Sequence, residues 1–267
     1  VMIKKQITII IATTLITLLI TGCIKNKTSK NYFQYNDFWQ EVTSNFQLNN
    51  INNSEITQEL NLYLKNKHSL EKTLIRATPY LWYIKQQLIE NNMPTEFILL
   101  PIIESEYRPF ASSWAGASGL WQMMPGTASG LGLKINWWID ERRNITKSTN
   151  AAITYLKYLH GYFDNNWILA IASYDSGAGT VQKAINKVQH SNFWKLKLPK
   201  ETQKYIPKLF ALKIIINNAK HYNVQLPSIP NQPFFTTVSI NKSIPLQDIA
   251  KLANITDSEI RKLNPEF

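Results

Sequence analysis

Cysteine is all but missing from this chain. Among 267 residues there is one, Cys23, so no disulfide can form within the chain and the fold must rest on burial and hydrogen bonding. Histidine is nearly as scarce: His68, His160, His190 and His221 stand far apart without ligand spacing, so the sequence predicts neither a metal site nor a cofactor. Acids are in short supply as well, 18 Asp and Glu against 29 Lys and Arg. A reaction that needs paired carboxylates has few to choose from. No apolar run reaches the roughly twenty residues that cross a bilayer; the longest, Ile7 to Ile20, has fourteen, all apolar or Thr.

What is present argues for a globular body, with 44% hydrophobic and 12% aromatic residues in a length suited to one domain with appendages. Eight Trp and twelve Tyr are many; such rings serve carbohydrate grooves, although most rings in any protein pack in the core. The basic excess sits between residues 101 and 220, where 15 basic residues face 7 acidic ones. Such a surface attracts polyanions: nucleic acid, anionic lipid or a carboxylate-bearing wall polymer. The N-terminus chooses among them. Met2-Ile3-Lys4-Lys5, the apolar run and Ile20-Thr21-Gly22-Cys23 read as an export signal. The last four resemble a bacterial lipobox, which implies cleavage after Gly22 and acylation of Cys23; the alternative is an uncleaved membrane anchor. Either places the body outside the cytoplasm, facing the periplasm with the outer membrane favoured, and no nucleic-acid partner is expected.

Apolar spacing of three and four divides the rest. Residues 1–22 are expected to be the signal, 23–35 a tether and 36–83 a helical region, with Ser54 as a cap. Thr78-Pro79 reads as the start of a further helix that ends near Asn91-Asn92, and Pro101 as a kink in the apolar segment Phe97 to Ile103. Helices follow at Lys147–His160 behind Thr146, at Val181–Val188 and at Thr202–His221, with a short buried segment at Trp167–Ala172. Nothing before residue 222 alternates as a strand. Pro227, Pro230 and Pro233 mark a linker over 223–233, and 234–267 reads as one strand and two short helices, either an arm packed on the main domain or a small module.

The chemistry concentrates at Glu104. It ends the apolar segment Phe97–Ile103, and a carboxyl among such side chains loses hydration of its charged form, so its pKa rises and it stores a proton near neutral pH. Downstream, Ser113, Gly116, Gly119 and Gln122 let a polar, uncharged ligand approach the backbone; sugars fit that description. Glu106, two positions on, points elsewhere, and Asp140-Glu141 beside Arg142-Arg143 reads as a solvated charged patch. Asp175, at a Gly-bearing turn after a buried run, is the next candidate acid.

Three ordered blocks carry a resemblance. Glu104-Ser105 with Tyr107, Pro109, Ala111, Ser113, Gly116-Ala117, Gly119-Leu120-Trp121-Gln122 and Pro125 is the first; Ala172-Ser173-Tyr174-Asp175-Ser176-Gly177 is the second; Glu201-Thr202-Gln203-Lys204-Tyr205-Ile206 is the third. Together they resemble the lytic transglycosylase (SLT) domain, close to the membrane-bound lytic murein transglycosylase D type, over about residues 84–222. The resemblance implies a mainly α, lysozyme-like catalytic domain with an N-terminal helical extension. It also implies cleavage of the bond between N-acetylmuramic acid and N-acetylglucosamine in peptidoglycan glycan strands to give a 1,6-anhydro product. In that chemistry one glutamic acid, here Glu104, protonates the leaving oxygen and then takes the proton of the sugar's C6 hydroxyl, without water, metal or cofactor. By position, Ser113, Gln122 and Met124 would line sugar subsites, and Tyr174 and Tyr205 would orient Glu104 or the substrate. Met124 and Tyr205 could equally be core residues, and Ser113 a helix cap. The family usually has Asn where Asp175 stands.

That departure keeps open a hydrolase using Asp175 as second carboxylate. A catalytically inactive wall-binding lipoprotein is the reading from another class. The segment 234–267 is similar to the start of a LysM wall-binding module, with Asn241-Lys242-Ser243 where Gly-Asp-Thr is usual. A monomer held to the membrane through lipid on Cys23 is the expected state.

Overall fold

The computed structural model describes residues 7–12, 38–240 and 242–267, and these fold as a mainly helical protein. Helix α1 (Phe38–Ser44) leads to α2 (Ser54–Lys65), whose cap is Asn53 rather than Ser54: the Asn53 side chain accepts from the Glu55 amide at 2.6 Å. Helix α3 (Lys67–Glu90) corrects the expectation at Thr78-Pro79. It runs straight through Pro79, because a stripe of Leu70, Leu74, Ala77, Leu81, Ile84 and Leu88, each at most 4% exposed, buries one side and outweighs the hydrogen bond that proline removes. The division between residues 83 and 84 therefore falls within a continuous helix.

Pro101 likewise starts a helix instead of kinking one. A 3₁₀ turn, Thr95–Leu99, passes into α4 (Leu100–Ser105) with Pro101 in the first turn, where its missing N–H costs nothing. Phe97, Ile98, Leu99 and Leu100 are all at most 1% exposed and lie in the core. After α5 (Pro125–Gly130), α6 (Ile145–Tyr162) is capped by Asn144, not Thr146. The segment at Trp167 is a full helix, α7 (Trp167–Ser176), capped by Asn166, and it is followed by α8 (Ala178–Val188) and α9 (Lys200–Asn217).

The proline-rich stretch behind α9 is strapped to the body. Val224 and Ile229 are buried, the Trp39 indole donates to the Pro227 carbonyl at 2.9 Å, and the buried Lys85 ammonium bridges Glu41 at 2.5 Å and Asn231 at 2.7 Å. Beyond it come β2 (Phe235–Ile240), α10 (Leu246–Leu252) and α11 (Asp257–Leu263), as the sequence predicted. This tail has a small core of Ile249, Ala250 and Ile260, while its Phe235 and Leu263 join the main one. Asn144 donates to the buried Glu266 carboxylate at 2.6 Å, and the Asp140 amide donates to the Glu266 carbonyl at 2.9 Å. The tail thus packs on the body as an arm.

One element was not foreseen. Strand β1 (Ile7–Ala12) pairs antiparallel with β2, from Ile7 opposite Ile240 to Ala12 opposite Phe235. Its β-branched run suits a strand without any polar alternation to reveal it. Strand β1 lies in the run expected to be the signal, which cleavage after Gly22 would remove, while the expectations for Cys23, the lipobox and the tether fall outside the described residues. No helix among the described residues is long and apolar enough to cross a membrane.

Candidate active site

Glu104 stands one residue before the end of α4, and the chain behind it reverses abruptly. Glu106 and Tyr107 take left-handed conformations, φ 50° and 56°, which cost non-glycine residues energy and must be held by their surroundings. They are held: the Tyr107 hydroxyl donates to the Ile98 carbonyl at 2.6 Å, Ser105 donates to the Leu120 carbonyl at 2.9 Å, and Arg76 donates to the Glu106 carbonyl. Glu106 itself turns to Arg108, 2.7 Å away, and leaves Glu104 alone at this end of the helix, as the sequence predicted.

The loop over residues 111–123 forms one wall of the cleft. Short antiparallel bridges join Ser112 to Ser118 and Ser118 to Met123, and Gly119, at φ +81°, makes the turn possible. A side chain there is excluded, since a Cβ would lie 2.2 Å from the Arg142 carbonyl oxygen. The charged run at 140–143 corrects the solvated-patch expectation. Arg142 is 8% exposed and Glu141 4%. Arg142 is bidentate to Asp140 and donates to the Gly116 and Met123 carbonyls, while Arg143 donates to Ser118 and Ser112. Guanidinium forks saturate the loop's carbonyls and hydroxyls, work that loses its charge-assisted strength in open water.

Two helices close the cleft from the other side. Helix α7 supplies Tyr174 and Asp175; α9 supplies Glu201, Tyr205 and Lys208, which share a face at spacings of four and three. Glu104, Ser113, Gln122, Met124, Tyr174, Asp175 and Tyr205 all border one cleft of about 600 Å³. Lys208 was not singled out from sequence and Glu201 entered only as the head of the third block, although the spacing from Tyr205 places both on its face. Trp114, fully exposed beside Ser113, was also missed.

The contacts sort these residues. The Tyr205 hydroxyl donates to Glu104 Oε1 at 2.5 Å, so Tyr205 is both buried and engaged with the acid. Tyr174 instead donates to the Trp121 carbonyl at 2.8 Å and fixes the loop. The Gln122 amide nitrogen donates to the Ala111 and Gly119 carbonyls, at 3.2 and 2.8 Å. Ser113 caps no helix: its hydroxyl accepts from the Ala117 amide at 3.0 Å. Met124 is 45% exposed and belongs to the cleft rather than the core.

Electrostatics single out one carboxyl. Glu104 keeps a little surface on the cleft, but protein surrounds its carboxyl, and burial pushes its pKa up to about 8; the charges of Asp175 and Glu201 add to the rise, while the Tyr205 hydrogen bond and Lys208 oppose it. Burial also raises Asp175, helped by Glu201 and opposed by Thr202 and Lys208. Both Tyr174 and Tyr205 are held well above the ordinary phenol value by burial and by Glu104, so their hydroxyls stay protonated donors.

A helical protein with one neutral carboxylic acid in a polar cleft, fixed by a phenol, has the makings of a general-acid enzyme. Residues 81–197 match the family model of the transglycosylase SLT domain. The chain is 37% identical over 232 residues, 85% of its length, to the membrane-bound lytic murein transglycosylase D of Escherichia coli K12, and spans 51% of that relative. It is 34% identical over 176 residues to an Alteromonas protein named for tributyltin chloride resistance, of which it covers 84%. Among solved structures, the 70 kDa soluble lytic transglycosylase of Escherichia coli matches with a TM-score of 0.47 at 21% identity, covering 66% of this chain and 31% of that one. The chain belongs to the transglycosylase SLT domain family. It spans about half the length of the lytic murein transglycosylase D that it matches.

Proposed function

We propose that this chain is a lytic murein transglycosylase that cuts the bond between N-acetylmuramic acid and N-acetylglucosamine in peptidoglycan without water. The observation that carries the reading is Glu104, a single carboxyl held protonated at neutral pH by burial and aimed by Tyr205. In the first step its proton passes to the departing glycosidic oxygen as the bond from that oxygen to the anomeric carbon breaks. The sugar's own C6 hydroxyl then bonds to that carbon and returns its proton to Glu104. Atoms balance without a water molecule, and the acid is regenerated. A pKa near the working pH suits a group that must both give and take a proton.

Ser113, Gln122 and Met124 are assigned to sugar subsites, Tyr205 to positioning the acid, and Tyr174 to positioning the loop through Trp121. Burial raises the Asp175 pKa, which disfavours without removing the ionised form that a hydrolase's second carboxylate needs, so the product formed decides between the two reactions. The basic surface, the export signal and the membrane-bound relative support an exported monomer, anchored by lipid on Cys23 and facing the periplasm from the outer membrane, with peptidoglycan as substrate and 84–222 as the catalytic unit. Mass spectrometry of digested wall tests the reaction. Anhydro-ended fragments are expected; fragments heavier by one water, with ordinary reducing ends, would overturn the transglycosylase and favour a hydrolase.

A further inference from the structure

A second pocket, of about 300 Å³, adjoins the cleft, and Ile103 and Lys208 border both. Its far wall comes from α2 and α3, beyond or at the edge of the residues matched by the family model. Glu59 of α2 lines it. That side chain belongs to a residue only 8% exposed, yet no hydrogen bond or ion pair reaches it among the described residues. Its carboxylate therefore has no partner within the described protein and is left to the pocket, whereas the other buried glutamates are tied up: Glu96 has Lys213 and two amides, Glu141 has Lys147 and an amide.

The pocket's other charges do not fill the role. Glu106 is occupied by Arg108 and, at 3.7 Å, by Arg76. Lys208 stands at the boundary, and its charge acts on Glu104 and Asp175 in the cleft. Tyr63 feels both Glu59 and Glu106: burial first, and then their two charges, hold its phenol protonated above the ordinary value, as a donor. Leu62, Leu70 and Ile102 give the lining aliphatic surface, beside the polar Asn66, Ser69 and Thr73.

We infer that this pocket binds a primary ammonium group carried on an alkyl chain: the amine-bearing side chain of the peptide attached to the murein strand. Aliphatic walls hold the methylene stem, Glu59 receives the ammonium, and the shared border at Ile103 and Lys208 lets glycan in the cleft and peptide in the pocket belong to one ligand. The inference rests on the murein reading above and extends it to specificity, with Glu59 as a residue that selects amine-bearing peptide stems.

The test is a binding titration on the full chain carrying Glu104→Gln, so that nothing turns over. The ligands are soluble murein disaccharide–peptides whose peptide carries a free side-chain amine, the same fragments after N-acetylation, and the disaccharide alone. About tenfold tighter binding of the free amine than of its acetylated form is expected, the order of a charge-assisted hydrogen bond. Adding Glu59→Gln should bring the two to equal affinity, and thermal unfolding of the double variant checks that it is folded. Equal affinities in the Glu104→Gln protein, or a preference that survives Glu59→Gln, would overturn the inference while binding of the disaccharide left the murein reading in place. Failure of every fragment to bind, disaccharide included, would overturn both.

Discussion

Glu96 and Glu104 lie eight positions apart at the two ends of one apolar stretch, and the protein treats them in opposite ways. Glu96 is fully buried and fully answered: the amides of Gln47 and Leu48 donate to its two oxygens at 3.0 and 2.7 Å, and the Lys213 ammonium lies 3.3 Å away. It ties the segment before α2 to α9. Glu104 receives one hydrogen bond, from a neutral phenol, and faces two further carboxylates across the cleft. Glu96 has no exposed surface and Glu104 keeps a little on the cleft, but it is the unequal partners that make one carboxyl a structural tie and the other an acid. Burial alone names neither; the partner list does.

Substituting each residue by its amide should pull the two apart. Glu104→Gln is expected to cut transglycosylase turnover about a thousandfold, the usual scale of a positioned acid and base. It should also stabilise the fold. With a native pKa of about 8 against an ordinary 4.5, the carboxyl favours the folded state fully only below pH 4.5, and that contribution is lost as pH rises through 8. At pH 7 the variant should therefore gain roughly 3 kcal/mol over the parent, a difference that vanishes toward pH 4. Turnover that survived the substitution would mean the acid lies elsewhere.

Glu96→Gln should show the reverse. It leaves the Lys213 ammonium 8% exposed without its counter-charge, at an expected loss of about 3 kcal/mol in chemical denaturation. Per folded molecule, turnover should stay at the parent level. A variant as stable as the parent would show that Lys213 is satisfied by the Leu48 carbonyl and its neighbouring rings, Phe46 and Phe210.

The same contrast explains what could be read from sequence. Glu104 was legible because its cause is local: seven apolar residues precede it in the chain. Asp175 was legible from its Gly-bearing turn after a buried run, whereas Tyr174 and Tyr205 were reached through family blocks, since only tertiary packing brings α7 and α9 to α4. Lys208 needed only the step from Tyr205 along one helix face. Arg142 was misread because charge pairs adjacent in sequence look the same in water and in a loop's interior; the carbonyls it serves, Gly116 and Met123, are far away in the chain. Pro79 misled for the opposite reason. Its local rule was sound, but the buried stripe on both sides of it set the helix.

The smallest expected effect probes the one bond that Glu104 does have. Tyr205→Phe keeps the ring, which is 3% exposed, and removes only the hydroxyl. That hydrogen bond favours the charged carboxylate and so lowers the pKa; without it, burial and the charges of Asp175 and Glu201 act with less opposition. The Glu104 pKa should rise further above about 8, and the alkaline limb of the turnover profile should move to higher pH with it. Turnover itself should fall about tenfold, because the carboxyl loses the contact that aims it. A merely structural phenol would lower turnover without moving the limb. The displacement of the profile therefore distinguishes a tyrosine that tunes the acid from one that only fills space, and it tests whether the partner list separates Glu104 from Glu96.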